Sequence, residues 1–277
     1  MKKERRSIIN LPRPIKSTRD GITIRRCEGL REFEACVNLE KEVWGFPDAD
    51  VEPVRTYIVA THIGGHLIGA FARGQLIGFV MGLPGVRRGW PYLFSRVLAV
   101  DERYRNAGVG RQLKLFQRKD ALSQGFELIE WTFDPLEIKN AFFNLERLGA
   151  FSGRYYKNQY GAYSSRLQAG LPSDRLVAEW WLRSPMVVRL LDSGTRTLVK
   201  STATVTVPGE ISTWKASVER RSLALKAQTR IREQFLRAFS KNLIAAGFER
   251  DEHGNGKYLL VDSGRVSGRR RELIADL

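Results

Sequence analysis

The sequence predicts an α/β protein, and three observations carry that prediction. Between residues 22 and 163, apolar runs of strand length alternate with amphipathic runs of helix length. The two strongest strand-like runs, 91–100 and 126–133, are separated by a single helix-length segment, as in a crossover connection. Between the first of these runs and that helix lies "RNAGVG", residues 105–110, a glycine-containing turn placed to open a helix.

The elements follow in order. "ITIRRCEG" reads as a short strand and "LREFEACVNLEKEVWG" as an amphipathic helix ending near Gly45, with Phe33, Val37 and Leu39 near helical spacing. "FPDADVEP" is a loop punctuated by two prolines. "HLIGAFARGQLIGFVMGLPG" reads as a hairpin turning at Arg73-Gly74, and "PYLFSRVLAV" as a third strand. A helix to about Gln124 is stopped by Gly125. "FELIEWTF" is a strand halted by Asp134-Pro135, "EIKNAFFNLERL" a helix, and "SGRYYKNQYGAY" a further strand. Beyond that, "LVAEWWLRS", "VTVP" and "KYLLV" read as strands, and residues 214–247 as one long helix or two. The step from Gly247 to Phe248 into a strand faintly echoes Leu148-Gly149, without any exact repeat.

Composition narrows the function. At 277 residues, 43% hydrophobic and 27% charged, the chain is an ordinary globular one with a sizeable core. Two cysteines, Cys27 and Cys36, make no disulfide framework and are expected to pack as small apolar groups in a reducing cytoplasm. No apolar run approaches the ~18 residues of a membrane span, and the basic start "MKKERRSIINLPRPIK" lacks the apolar stretch of a secretory signal. The net charge of +16 favours an anionic partner: a phosphorylated cofactor, a dicarboxylate or nucleic acid. Residues 215–241 alone hold eight Lys/Arg against two Glu. Their expected arrangement is a helix with Leu223, Ile231, Phe235, Leu236 and Phe239 on its packed face and its cations in solvent. No nucleic-acid motif accompanies them, so nucleic acid is not an expected partner. His62, His66 and His253 are too few and too scattered for a metal site. No Gly-x-Ser-x-Gly nucleophile elbow is present.

A strand that ends at a glycine turn opening a helix gathers unpaired backbone N–H groups at the positive end of the helix dipole, which stabilises an anion. Gly108 and Gly110 would let the backbone approach a pyrophosphate, with Arg103, Arg105 and Arg111 around it. This is neither a P-loop nor a G-x-G-x-x-G fingerprint, since position 113 is leucine.

The stretch "LAVDERYRNAGVGRQL", residues 98–113, resembles the acyl-CoA motif of the GNAT superfamily of acyl-CoA-dependent N-acyltransferases. The order of elements over about 22–163 and "NAFFNLERLGAF" two elements later carry the same resemblance, and "WTFDPL" is similar to a little-characterised GNAT group with an extended C-terminal half. The resemblance implies a mixed sheet whose central parallel strands, 91–100 and 126–133, splay apart around the pantetheine arm of acetyl-CoA or another acyl-CoA. It implies that Leu98, Ala99 and Val100 pair with that arm, and that Arg105, Asn106, Ala107, Gly108, Val109, Gly110 and Arg111 hold the pyrophosphate. Asn140 and Asn144 would face the pantetheine or the thioester. The implied division is a basic flexible arm at 1–20, a GNAT domain at 21–165, an α+β region at 166–265 forming an acceptor site or interface, and a mobile basic tail at 266–277.

An amine attacking a thioester needs little from side chains. A backbone N–H near Leu98 could hold the oxyanion, and an α-amine of pKa about 8 loses its proton to a weak base or water chain. Glu130 and Asp134, on one face of a strand if it runs that far, are the candidate bases. As structural residues they would be a solvated strand residue and a helix cap. Many superfamily members carry an acid tyrosine four residues before the glycine ending this helix; here that position is Leu145. Tyr155, Tyr156 or Tyr160 would have to substitute, and Tyr156 is the expected one. Trp180 and Trp181 are expected to alternate across a strand, one in the core and one covering a surface.

The function expected is N-acyl transfer, acetyl by default, to a primary amine of a small molecule. The alternatives are a succinyl-CoA-dependent amino-acid N-acyltransferase, favoured by the wealth of arginine, and a binding protein that senses acyl-CoA or contacts nucleic acid. A homodimer is left open.

Overall fold

The computed structural model describes residues 12, 15–16, 21–47, 50–161, 168–194 and 200–265. The tail expected at 266–277, and the arm at 1–20 apart from residues 12 and 15–16, lie outside these. The described residues fall into two compact units, within Met1–Val43, Glu52–Gly85 and Pro91–Ile129 for the first, and Trp44–Val51, Val86–Trp90 and Glu130–Leu277 for the second.

The first unit holds β1 (Ile15–Lys16), β2 (Ile22–Arg26), α2 (Val54–His62), β3 (His66–Ala72), α3 (Val109–Ser123) and the bodies of α1 (Gly29–Trp44), β4 (Gln75–Arg87) and β5 (Trp90–Val100), whose Trp44, Val86–Arg87 and Trp90 belong to the second. Its strands lie in the order β1-β2-β3-β4-β5. Neighbours through β4 are antiparallel, with Ile24 opposite Ala70 and Ile68 opposite Val80. The hairpin turns at Arg73-Gly74 as the sequence indicates, both residues at positive φ, which suits a two-residue turn between twisted strands. Val109, Leu113 and Phe116 of α3 pack on Ile22, Ile24, Ile68, Ala70 and Val80, fixing the helix to the sheet by apolar burial. Helix α2 has no counterpart in the sequence reading. Its nine residues are rich in β-branched side chains, and its core contacts are Tyr57 and Ala60.

In the second unit are the body of β6 (Leu128–Phe133), α4 (Ile138–Phe142), β7 (Tyr155–Tyr156), β8 (Arg175–Trp181), α5 (Pro185–Ser193), β9 (Ala203–Val207), α6 (Ile211–Ala216), α7 (Arg221–Phe239), β10 (Leu243–Arg250) and β11 (Gly256–Asp262). Helix α4 runs on into a single π-turn at Phe143–Arg147. Strands β6, β8 and β7 are neighbours in that order, and β10-β11-β9 form a separate antiparallel sheet. The buried side of α7 is Ala224, Ala227, Ile231, Phe235 and Ala238. Phe235 and Phe248 meet the Tyr258 ring edge-on, at 5.0 and 4.8 Å between centroids.

Four expectations change here. The helical run expected to 247 stops at Phe239, and Leu243–Arg250 is a strand paired with β11. A short apolar run such as "LIAAG" does not declare its period, and Asn242 at φ 57 breaks the helix before it. The strand expected over 152–163 shortens to Tyr155–Tyr156. Asn158 and Ser173 hold most of the remainder as a loop, through Asn158 Oδ1 accepting from Ser173 N and Ser173 Oγ accepting from Tyr160 N; residues 162–163 lie outside the described residues. Trp180 and Trp181 are both buried, because β8 runs between β6 and β7 and all seven of its residues are covered. Leu223 points to solvent, since alanines 224 and 227 turn the packed face of α7 away from it.

Candidate functional site

The candidate site of the first unit begins in β5. Ser95 Oγ hydrogen-bonds Lys114 and Gln117 on α3 at 3.0 and 3.1 Å. Leu98 and Val100 pack on the cluster containing Val109, Leu113 and Phe116, also of α3. Odd- and even-numbered residues of one strand thus face the same helix, which a regular pleat forbids. The pleat slips by one residue between 95 and 98, the signature of a bulge that leaves a backbone group outside the ladder. Arg96 falls in the slip, exposed and paired with Glu52 at 2.7 Å. Ala99 is buried, and its carbonyl lies where a Cβ on Gly78 would stand 3.0 Å away, so β4 and β5 approach closely there.

After Val100 the chain makes one 3₁₀ turn, Glu102–Tyr104, capped by Asp101, whose Oδ1 accepts from Arg103 N at 2.9 Å. The Arg103 guanidinium closes back on the same carboxylate, and its hydrogen bonds hold Asp101 below the usual carboxylate range. The Arg105 amide donates to Glu102 O at 3.2 Å, so it is used within the turn, while the Arg105 side chain reaches Val100 O at 3.3 Å. Asn106 then takes φ 63 and Gly108 φ 81, two left-handed residues that swing the backbone into α3. The first intrahelical bond runs from Gln112 N to Gly108 O at 3.0 Å, so the amides of 109–111 precede the ladder and point out of the helix end. A Cβ on Gly108 would meet nothing within 4 Å, and one on Gly110 would touch Val100 Cγ2 at an ordinary 3.8 Å. The fold itself does not need position 110 bare. The arrangement gathers backbone amides at the positive end of the helix dipole, with open space beside Gly108.

Of the residues expected in the site, Leu98 to Val100 and Arg105 to Arg111 are brought together in this unit. Glu130, Asp134, Asn140, Asn144 and Tyr156 lie in the second. There Glu130 is buried between two arginines. Arg87 donates to both carboxylate oxygens, at 2.8 and 2.7 Å, and Arg154 donates to Oε1. Burial alone would lower the Arg154 pKa, but Glu179 and Glu130 outweigh it and raise it. Asp134 caps the next turn, its Oδ1 accepting from Leu136 N at 2.8 Å, and its Oδ2 accepts from Lys215 at 3.0 Å. Lys215 also donates to Glu137 at 2.7 Å; burial works against its charge, and the two carboxylates more than restore it.

Asn140 is exposed and Asn144 is buried. The Asn144 Oδ1 accepts from Trp131 Nε1 at 3.3 Å, while its Nδ2 has no hydrogen-bond partner. Leu145, at the position of the superfamily tyrosine, is wholly buried. Of the three tyrosines considered as substitutes, Tyr155 donates to Asp174 at 2.7 Å, and burial pushes its hydroxyl above the ordinary range. The Tyr160 hydroxyl lies 2.7 Å from Thr132 Oγ1. Tyr156 is half-buried. The sequence reading did not single out Arg87, Arg154 or Lys215. Their partners stand 43, 24 and 81 residues away, and no local pattern signals such pairs.

Among the described residues there is no His/Cys/Asp/Glu group able to hold a metal ion and no helix long and apolar enough to cross a membrane. Cys27 and Cys36 are buried thiols with sulfurs 3.9 Å apart.

Residues 33–149 match the family model "Acetyltransferase (GNAT) family". No curated protein matches the chain. Among solved structures, a Desulfovibrio desulfuricans protein assigned to the GNAT family shares 16% identity, covering 58% of this chain and 99% of its own, at a TM-score of 0.48. The ribosomal-protein-S18-alanine N-acetyltransferase of Escherichia coli shares 14%, over 57% of this chain and 92% of its own, at 0.45. Ard1 of Thermoplasma volcanium shares 16%, over 57% and 95%, at 0.45. Residues 33–149 are therefore similar to an acetyltransferase domain of the GNAT family.

Proposed function

We propose that the chain transfers an acetyl group from acetyl-CoA to the primary amine of a small molecule. The observation that carries this is the helix start at 106–110: two left-handed residues, a bare Gly110 and amides ahead of the first helical bond, inside the segment that matches the acetyltransferase family. Amides from Asn106 to Arg111 receive the pyrophosphate, with the Arg105 and Arg111 side chains beside it. The backbone of Leu98 to Val100 pairs with the pantetheine arm, and a backbone amide near Leu98 holds the thioester oxygen.

The acceptor nitrogen attacks the thioester carbon, a C–N bond forms, and the carbonyl electrons move onto oxygen. When they return, the C–S bond breaks and CoA leaves as thiolate. The proton of the nitrogen passes to water, since an amine of pKa about 8 needs little help near neutrality. We assign Glu130 and Asp134 to holding structure, because their oxygens are taken by Arg87, Arg154, Lys215 and the Leu136 amide. Tyr156 is the tyrosine left to protonate the thiolate, with Tyr155 and Tyr160 bonded to Asp174 and Thr132. Acetyl is preferred to succinyl because Arg87 and the buried Arg154 already face Glu130 and Glu179. Two buried, unbridged cysteines fit a reducing cytoplasm.

A second reading, acyl-CoA sensing without transfer, is favoured by Leu145 where an acid would stand. One assay separates the two: CoA thiol release across a panel of amines, run beside acetyl-CoA titration calorimetry. Transfer predicts binding together with amine-dependent release. Binding without release from any amine leaves the sensor, and no binding of any acyl-CoA removes both.

A further inference from the structure

Of the eight Lys/Arg between 215 and 241, two are spent on carboxylates of the same unit. Lys215 pairs with Asp134 and Glu137, and Arg232 with Asp174. The other six, Arg220, Arg221, Lys226, Arg230, Arg237 and Lys241, are exposed. Among the described residues, none of the six lies in an ion pair. At about 100° per residue, Lys226, Arg230 and Arg237 fall within about 40° of one another on α7. They form a row about 17 Å long, and Lys241 follows in the turn that closes the helix. The opposite side of α7, from Ala224 to Ala238, is buried in its own unit, and the row is on the exposed side of the helix.

We infer that this row is a docking surface for the phosphate backbone of a nucleic acid, bound without regard to sequence. Nothing in the sequence motifs suggested it; what the structure adds is that the cations are aligned and lack carboxylate partners. A row of unpaired cations on long stems matches a polyanion, because each phosphate contact releases counterions while a scattered surface charge stays solvated. A membrane surface fits less well. A helix that lies in a bilayer interface puts its apolar face into the lipid, and here that face is spent on the core. The exposed Leu223 and Leu225 stand about 160° apart, one on each flank of the row, so they form no second apolar face. Glu233 sits within the row and lowers its charge by one, which leaves a net excess along the helix.

The test is fluorescence anisotropy of labelled 20-nucleotide single-stranded RNA and DNA with the full chain, in KCl from 50 to 300 mM. The key variant is Lys226→Gln/Arg230→Gln/Arg237→Gln/Lys241→Gln. A matched control, Arg31→Gln/Arg73→Gln/Lys119→Gln/Lys157→Gln, removes the same charge from other exposed positions. The wild type should bind with affinity falling steeply in salt. The α7 variant should lose at least 30-fold at 50 mM, with a log–log salt slope shallower by about 3, from ~0.7 per lost contact on a single strand. The control should lose no more than a few-fold. If the four-site variant melts differently by circular dichroism, Arg230→Gln/Arg237→Gln should still lower the slope by about 1.4. The proposal is overturned by no binding at 50 mM, by equal losses in variant and control, or by tighter binding to phosphatidylserine vesicles at equal phosphate.

Discussion

Arg87 meets both carboxylate oxygens of Glu130, at 2.8 and 2.7 Å, and Arg154 approaches the same carboxylate from the unit's interior. A buried carboxylate held this way is stabilised by the two guanidinium charges on it, and removing its charge leaves the buried Arg154 with less compensation. Glu130→Gln should lower the free energy of urea unfolding by roughly 3 kcal/mol, within the range for breaking a buried pair. Arg87→Ala should cost less, because Arg87 is 21% exposed and water replaces part of the loss. If Glu130 were instead the base, its substitution would cut turnover while the unfolding midpoint stayed in place.

Asp134 and Lys215 give a second case. Asp134→Asn leaves Lys215 buried with Glu137 as its remaining carboxylate and weakens the tie between α6 and the turn after β6. The expected loss is about 1–3 kcal/mol of stability, with acetyl-CoA affinity within twofold of wild type by calorimetry.

Gly110→Ala separates folding from ligand binding at the helix start. The new methyl would sit 3.8 Å from Val100 Cγ2, an ordinary contact, and alanine is the better helix former by about 0.8–1 kcal/mol. The variant should melt at an equal or higher temperature and bind acetyl-CoA at least tenfold more weakly. Gly108→Ala differs, because φ 81 strains any Cβ, and it should cost about 1–2 kcal/mol of stability.

The polar chain beneath α3 predicts a pH response. His66 Nδ1 lies 2.7 Å from Asp120, which Arg26 also grips, and His66 Nε2 lies 2.9 Å from Gln117. Burial pushes the imidazole below its ordinary value, against the pull of Asp120. The unfolded chain takes up a proton near pH 6.5 while the folded chain resists it. Stability is therefore full above that pH and is lost as pH falls towards the folded value, by up to about 1.4 kcal/mol per unit. Unfolding free energy should decline from pH 7 to 5, and His66→Gln should flatten that slope by about one proton.

The loop at 105–110 was legible because its meaning is local: glycines and a left-handed asparagine at a strand-to-helix step leave few conformations. Strand order added the rest, since "LFSRVLAV" and "FELIEWTF" carry strong β-branched and apolar patterns. The slip in β5 was hidden, because it shows only in which partners Ser95 and Leu98 meet. Glu130 and Asp134 were visible as carboxylates, but their arginine and lysine partners arrive from 43, 24 and 81 residues away and leave no local signal. Strand β10 was read as helix because "LIAAG" is apolar throughout, so pairing with β11 and not periodicity sets its conformation.

In the proposed function the start of α3 holds a pyrophosphate. Calorimetric titration of wild type and Gly110→Ala with acetyl-CoA, CoA and pantetheine tests it most directly, because pantetheine lacks the pyrophosphate. Wild type should bind acetyl-CoA and CoA well and pantetheine at least a hundredfold more weakly, and Gly110→Ala should lose most of that difference. Equal affinity for CoA and pantetheine, or a Gly110→Ala variant that binds CoA as tightly as wild type, would contradict it.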